Sequence, residues 1–159
     1  MSIGEKFKRT GAFVIDLSIA KMFTQVLVGA VMAIMSVGVK SGGLVESLNL
    51  NDPAALPLLL ALYVFILMLF IGIYVGYHWV CYRFLSNSLA RYFLRLKVVA
   101  LEDETQPVTM NTYLTREFYK ICLSICTLGV YPAYSAAQYY TFSRLPYHDK
   151  KMQATVTLN

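Results

Sequence analysis

The chain has 159 residues, 57% of them hydrophobic and only 14% charged, whereas an ordinary soluble domain carries about a quarter charged residues, so a soluble single domain is excluded and a membrane protein is indicated. The formal charge of +5 lies beside apolar runs, where basic residues meet anionic headgroups and set orientation, so the balance does not point to nucleic acid. Three cysteines, Cys81, Cys122 and Cys126, form neither an even disulfide set nor a metal-ligand spacing, and they read as small hydrophobes.

The chain opens on Lys6, Lys8 and Arg9, after which an apolar stretch runs to Val39. That is far longer than a signal h-region and lacks an A-x-A cleavage signature, so a retained first transmembrane helix is expected at about 11–39. Its strictly uncharged part, Met22 to Val39, is 18 residues, or about 27 Å at about 1.5 Å per residue, against a hydrocarbon core of about 30 Å. An outer loop at 40–56 follows, in which Asn51-Asp52-Pro53 reads as a helix start. The second helix is expected at about 57–83, within an uncharged stretch of 30 residues from Pro53 to Tyr82. Both helices exceed the span and must tilt or protrude. The N-terminus carries Lys6, Lys8 and Arg9 and the stretch Arg83 to Arg116 five cations, whereas the loop from Lys40 to Leu56 has only Lys40, which places both ends of the hairpin in the cytoplasm.

A basic loop at 84–110 comes next. Leu94, Leu96 and Val98 alternate with Arg95 and Lys97, the period of a half-exposed strand, while an amphipathic helix over Ser86 to Val99 competes with that reading. Glu102, Asp103 and Glu104 form a turn, and Gln106 to Val108 can return along the strand with Pro107 at an edge. Ala154 to Leu158 also alternate, so a small cytoplasmic β element joins loop to tail. A broken membrane segment occupies about 112–142. Asn111 caps a helix through Thr127, Gly129 suits its left-handed end, and Pro132 suits the first turn of a helix ending near Phe142. The 25 residues from Phe118 to Phe142 suffice for one crossing of roughly 20 residues but not two. Arg144, Lys150 and Lys151 in the tail, 143–159, favour the cytoplasm. A re-entrant pair and a single crossing are both open. The expected fold is thus an all-α membrane protein of two long transmembrane helices and a broken third segment, with a small cytoplasmic β-like element, in one membrane domain over 1–159.

Ionisable groups at membrane depth are costly and persist where they are paired or face a polar cavity. Asp16 and Lys21 lie inside the first helix. Arg9 and Asp16 are two turns apart on one face. In an antiparallel hairpin closing at Val39 and Ala55, Asp16 comes level with His78, with Tyr74, Tyr77, Tyr82 and Arg83 as alternative partners; Lys21 snorkels toward headgroups. His148 beside Asp149 is a pH-sensitive contact. Gly72 and Gly76 form a G-x-x-x-G pair, and Gly29, Ala33 and Ser36 line a face of the first helix, suited to packing within the chain or between copies. Tyr131, Tyr134, Tyr139 and Tyr140 could line a polar lumen or anchor a shallow helical pair at the headgroups, and anchoring is the better reading. Cys122 and Cys126 share a helix face that burial explains. No nucleophile elbow, phosphate-binding loop, zinc spacing or ATP motif occurs, so neither an enzyme nor a cofactor is indicated.

Arg9 and Asp16 in "RTGAFVIDL" and Asp149 in "YHDKKMQATVTL" resemble the RDD family of small membrane proteins, named for those three residues. The resemblance extends through "ARYFLRLKVVALEDETQPVT", similar to the family's basic stretch leading into a β-like strand, and "YLTREFYK", similar to its Arg at the next helix start. The sequence departs where the family has glycines, with Ala90 and Arg95, and where the tail has Gln153-Ala154-Thr155 in place of a shorter Gly-Thr.

The resemblance implies one of two roles. Some members have been proposed to act in transport, including cation/proton exchange; others look like accessory partners of membrane complexes. In the first, Asp16 titrates, His78 or Asp149 relays protons, Arg9 tunes the field, and a homo-oligomer encloses the pathway. In the second, a non-enzymatic accessory or assembly protein, Arg9, Asp16 and Asp149, with His78, Arg83 and His148 nearby, form a structural polar cluster. The expected partners are anionic lipid and a second copy or another membrane protein, in the plasma (inner) membrane with the N-terminus, and the C-terminus beside it, in the cytoplasm.

Overall fold

The computed structural model describes residues 3–40, 55–101, 106–141 and 145–158. The expected helix start at Asn51 to Pro53, the turn at Glu102 to Glu104, and Arg144 lie outside the described residues. In chain order the elements are α1 (Ile3–Lys40), α2 (Ala55–Leu85), α3 (Leu89–Phe93), β1 (Leu96–Ala100), α4 (Met110–Cys126), α5 (Val130–Thr141), α6 (Tyr147–Lys151) and β2 (Ala154–Leu158).

α1 begins eight residues before Gly11, because nothing in the basic opening interrupts a helix. In α2, Pro57 falls in the first turn, where its missing N–H costs no hydrogen bond. Two stretches are long and apolar enough to cross a membrane, Lys6–Ala33 (28 residues) and Leu59–Leu85 (27 residues), with mean hydropathies of 1.6 and 2.6. Only 17% and 6% of their most apolar windows are buried, the reverse of a soluble core helix, and Val26, Met32, Phe65 and Met68 lie exposed along them. A membrane protein with two transmembrane helices accounts for such surfaces.

The chain divides into two compact units: Ile19–Ile73, and Met1–Ser18 with Tyr74–Asn159. Within the first, the hydroxyls of Thr24 and Ser36 bond back to the carbonyls of Ala20 and Ala33, at 2.9 and 2.8 Å, so neither presents a bare donor to an apolar surround. A methyl group added at Gly29, Gly72 or Gly76 would meet nothing within 4 Å. Among the described residues, nothing packs closely against these glycines.

The second unit carries the short elements. Ser88 caps α3 by accepting from the Arg91 N–H at 3.3 Å. Asn87 accepts from the Ser88 N–H and donates to the Leu96 carbonyl, tying the start of α3 to β1. The competing sequence readings here divide the segment, a one-turn helix followed by the strand, with Arg95 at φ 54° making the turn between them. β1 pairs antiparallel with β2 in the register Leu96↔Leu158, Val98↔Val156 and Ala100↔Ala154. Pro107 bridges Val99 at the other edge, where no N–H is needed. Leu96, Val98, Ala154 and Val156 then form one apolar cluster with Ala12, Ala90, Val108 and Tyr113.

Thr109, not Asn111, caps α4. It has extended backbone (φ −66°, ψ 154°), and its hydroxyl accepts from the Thr112 N–H at 3.4 Å, whereas Asn111 lies exposed inside the first turn. The helix ends as the glycine suggested: Gly129 at φ 85° and Leu128 at φ 50° send their N–H groups to the carbonyls of Ser124 (2.7 Å) and Ile125 (3.0 Å), a Schellman motif. Thr127 then accepts from the Tyr131 N–H at 2.9 Å, starting α5. With 17 and 12 residues, α4 and α5 are about 25 and 18 Å long, each short of a core of about 30 Å.

Candidate functional site

α4 is amphipathic with its polar side inward. Its buried residues are Tyr113, Arg116, Glu117, Lys120, Ile121 and Ser124, spaced three and four apart on one face, while Phe118 on the opposite side is exposed. An apolar outer face and a charged inner face suit a helix that meets lipid on one side and polar partners on the other.

Glu117 sits at the centre, wholly buried. One carboxylate oxygen accepts from Arg91 at 2.7 Å and from Arg116; the other accepts from Lys120 at 2.5 Å and from the Tyr74 hydroxyl at 3.0 Å. Four donors match the roughly four lone-pair sites of a carboxylate. Burial alone would raise the Glu117 pKa, but Arg91, Lys120 and Arg116 outweigh it and hold the group well below the usual carboxylate range. Lys120 shows the other side of this balance: burial, with Arg91 and Arg116 adding repulsion, pulls its ammonium down to about 8 although Glu117 opposes the shift. Its Nζ also lies 4.4 Å from the centre of the Phe13 ring.

A second carboxylate extends the cluster. Arg116 Nε donates to Asp149 Oδ1 at 2.6 Å, joining α4 to α6. Burial opposes ionisation of Asp149, yet Arg116 and His148 keep its pKa below the ordinary value. The His148 backbone N–H donates to the Tyr131 oxygen at 3.2 Å, while that hydroxyl lies 2.7 Å from His148 Nδ1 and His148 Nε2 lies 3.2 Å from Asp149. The consistent tautomer has Tyr131 donating to Nδ1 and Nε2–H directed at Asp149. Burial, the largest influence, pushes the imidazole down to about 3, so the ring is neutral at pH 7.

On the α2 side, Arg91 Nη1 donates to the Tyr113 hydroxyl at 3.1 Å, which in turn lies 3.0 Å from His78 Nδ1. His78 Nε2 faces Glu117 at 3.8 Å, beyond hydrogen-bond distance. Asp16 is wholly buried; its Oδ1 accepts from the Tyr77 hydroxyl at 2.8 Å, and its Oδ2 has no hydrogen-bond partner among the described residues.

The residues expected from sequence are thus distributed over a larger network. The Asp16 hydrogen bond goes to Tyr77, one of the alternatives to His78. Asp149 engages Arg116 and His148, and Arg9 lines a cavity together with Asp149. Arg83 is exposed. Arg91, Glu117 and Lys120 are the residues that sequence reasoning passed over, and Arg116 entered it only through the family resemblance, although an Arg-Glu pair with Lys on one helical face was there to be read. Tyr131, expected as a headgroup anchor, is instead buried against His148. Tyr134 is exposed, and Tyr140 lies 3.1 Å from the Thr10 hydroxyl. The cysteines are free thiols, Cys81 and Cys122 half-buried and Cys126 exposed. No group of three or more His, Cys, Asp or Glu able to hold a metal occurs among the described residues.

Two exposed apolar helices leading into a unit organised around a buried carboxylate and its cations define a small helical membrane protein with an internal ion network. The chain belongs to the RDD family, whose pattern matches residues 4–152. No curated protein and no solved structure shows a significant match.

Proposed function

We propose that this RDD protein is a non-enzymatic accessory or assembly protein of the membrane, in which the ion network is a structural lock. The observation that carries this reading is Glu117, whose two oxygens are both occupied, by Arg91, Arg116, Lys120 and Tyr74, leaving it no free valence for a transported ion. A fully paired buried carboxylate specifies one arrangement of otherwise interchangeable helices. In this reading Arg9, Asp16, His78, His148 and Asp149 surround the lock as supporting polar groups, and the exposed Arg83 meets anionic headgroups. The N-terminus and the tail lie on the cytoplasmic side, as the basic flanks favour. The α4–α5 pair lies at the interface with its apolar side toward lipid, and the open faces at Gly29, Gly72 and Gly76 meet another membrane helix, from a second copy or from a partner protein.

One observation favours a second reading. Asp16 is buried within the first span with Oδ2 unpartnered among the described residues, a position where a proton or a cation could bind in an oligomeric exchanger. Cation-dependent proton flux in proteoliposomes separates the two. Well-folded wild-type protein is expected to give no flux; flux that disappears in Asp16→Asn would establish exchange and overturn the accessory role.

A further inference from the structure

We propose that the groove where the second span ends, between α2, α3 and β1, is the seat of one anionic phospholipid headgroup. The groove has a volume of about 1000 Å³, at the upper end of the roughly 300 to 1,000 Å³ that ligand sites occupy. Tyr82 and Leu85, close to the end of the span Leu59–Leu85, are on its lining, so it lies where that helix leaves the hydrocarbon core.

Arg95 and Lys97 also line the groove, and no Asp or Glu does. Both cations are exposed, and neither has an ion-pair partner among the described residues, in contrast to Arg91 and Arg116, whose guanidinium groups are held by Glu117 and Asp149. A guanidinium fork and an ammonium beside each other suit the oxygens of a phosphodiester. The backbone singles out the same place. Among the described residues four that are not glycine have positive φ, and two of them, Ser86 (φ 55°) and Arg95 (φ 54°), line this groove. A binding role accounts for an arginine held in a conformation that glycine adopts at lower cost. Tyr92 and Phe93, 55% and 74% exposed, add two rings to the lining. Cations beside aromatic rings at the end of a span match the boundary of headgroup and acyl chain, which a phospholipid carries in one molecule and a free phosphate ion does not.

The test uses the full chain in nanodiscs of phosphatidylcholine with a minor share of phosphatidylglycerol. Protein released into neutral detergent is examined by native mass spectrometry, and wild type is expected to keep one phosphatidylglycerol in preference to phosphatidylcholine. Arg95→Gly and Lys97→Gln are each expected to lower that retention about fivefold. Because Arg95→Gly relieves a costly backbone conformation, misfolding does not explain its loss, and the melting temperature confirms this. Lys150→Gln removes the same charge from an exposed position off the groove and is expected to retain the lipid. Retention of both lipids alike, an equal loss in Lys150→Gln, no loss in the two groove variants, or displacement of the lipid by soluble glycerol phosphate overturns the proposal. An accessory protein and an exchanger would hold a lipid here equally, and the flux assay above has a separate readout, so failure of one does not imply failure of the other.

Discussion

Arg116 and Asp149, 33 residues apart in sequence, meet at 2.6 Å with both side chains withdrawn from solvent. The same guanidinium bonds Glu117, so one side chain spans both carboxylates of the network and couples α6 to the centre of α4.

Removing the central negative charge should therefore be severe. Glu117→Gln removes the carboxylate that Arg91, Arg116 and Lys120 share, leaving only Asp149 on Arg116, and we expect a loss of about 3 to 5 kcal/mol, the range for breaking a buried ion pair from one side. Thermal unfolding in detergent measures it. A change under about 1 kcal/mol would mean that the network is not a lock.

Stability should fall in acid earlier than carboxylates alone would cause. His148, at about 3 in the folded protein and about 6.5 unfolded, takes up its proton only on unfolding. Its contribution is full above about pH 6.5 and is lost progressively down to about pH 3. Asp149 and Glu117, both depressed, add losses that begin near their unfolded values of about 4. A His148→Gln variant should show a flatter melting profile between about pH 6.5 and 4.5.

Lys120 acts in the same direction, in a higher pH window. Its folded pKa of about 8 lies below the unfolded value of about 10.4, so the unfolded chain binds more protons between them and stability rises with pH across that window. Denaturant titrations of wild type and Lys120→Met at pH 7.5 and 9.5 should differ in slope, with the rise present only in the wild type.

Two left-handed residues can be relieved. Arg95 (φ 54°) and Gln153 (φ 47°) are exposed, and that conformation costs a side-chain-bearing residue about 1 kcal/mol. Arg95→Gly and Gln153→Gly should each raise stability by about that amount, read as an increase in melting temperature.

The α4–α5 junction should contact lipid. Leu128 is 91% exposed and Val130 is 66% exposed, at the tip of a turn whose backbone bonds are satisfied internally. In a Trp79→Phe background, tryptophan at position 128 should emit at a shorter wavelength in vesicles than in the unfolded protein and be quenched by lipid-borne quenchers. Quenching by aqueous iodide alone would place the tip in water.

What could be read from the sequence was what local chemistry decides. Uncharged runs gave the two long helices; alternation around Leu96 and Val98 and again from Ala154 gave the paired strands; Gly129 and Pro132 marked the break between α4 and α5. The α4 cap was misassigned by two residues because Thr109 and Asn111 are both good cap formers, and only the backbone angle at Thr109 decides between them. The network was not legible for a different reason. Arg116, Glu117 and Lys120 look like a solvated helical face until Arg91 and Tyr74, 25 and 42 positions before Arg116, are known to cover it. The hint lay in the opposite face, where Phe118 and Cys122 are too apolar to be the only buried side of a soluble helix.

Strand β2 fixes the order in which the molecule can be completed. Both apolar helices and all of α4 are synthesised before the residues that supply Asp149 and pair with β1. During that interval the guanidinium of Arg116 lacks one of its two carboxylates and β1 lacks the strand that pairs along it. Insertion of the helices into lipid therefore precedes closure of the polar unit, and a ribosome stalled short of residue 149 would hold a chain already anchored in the bilayer but not yet locked.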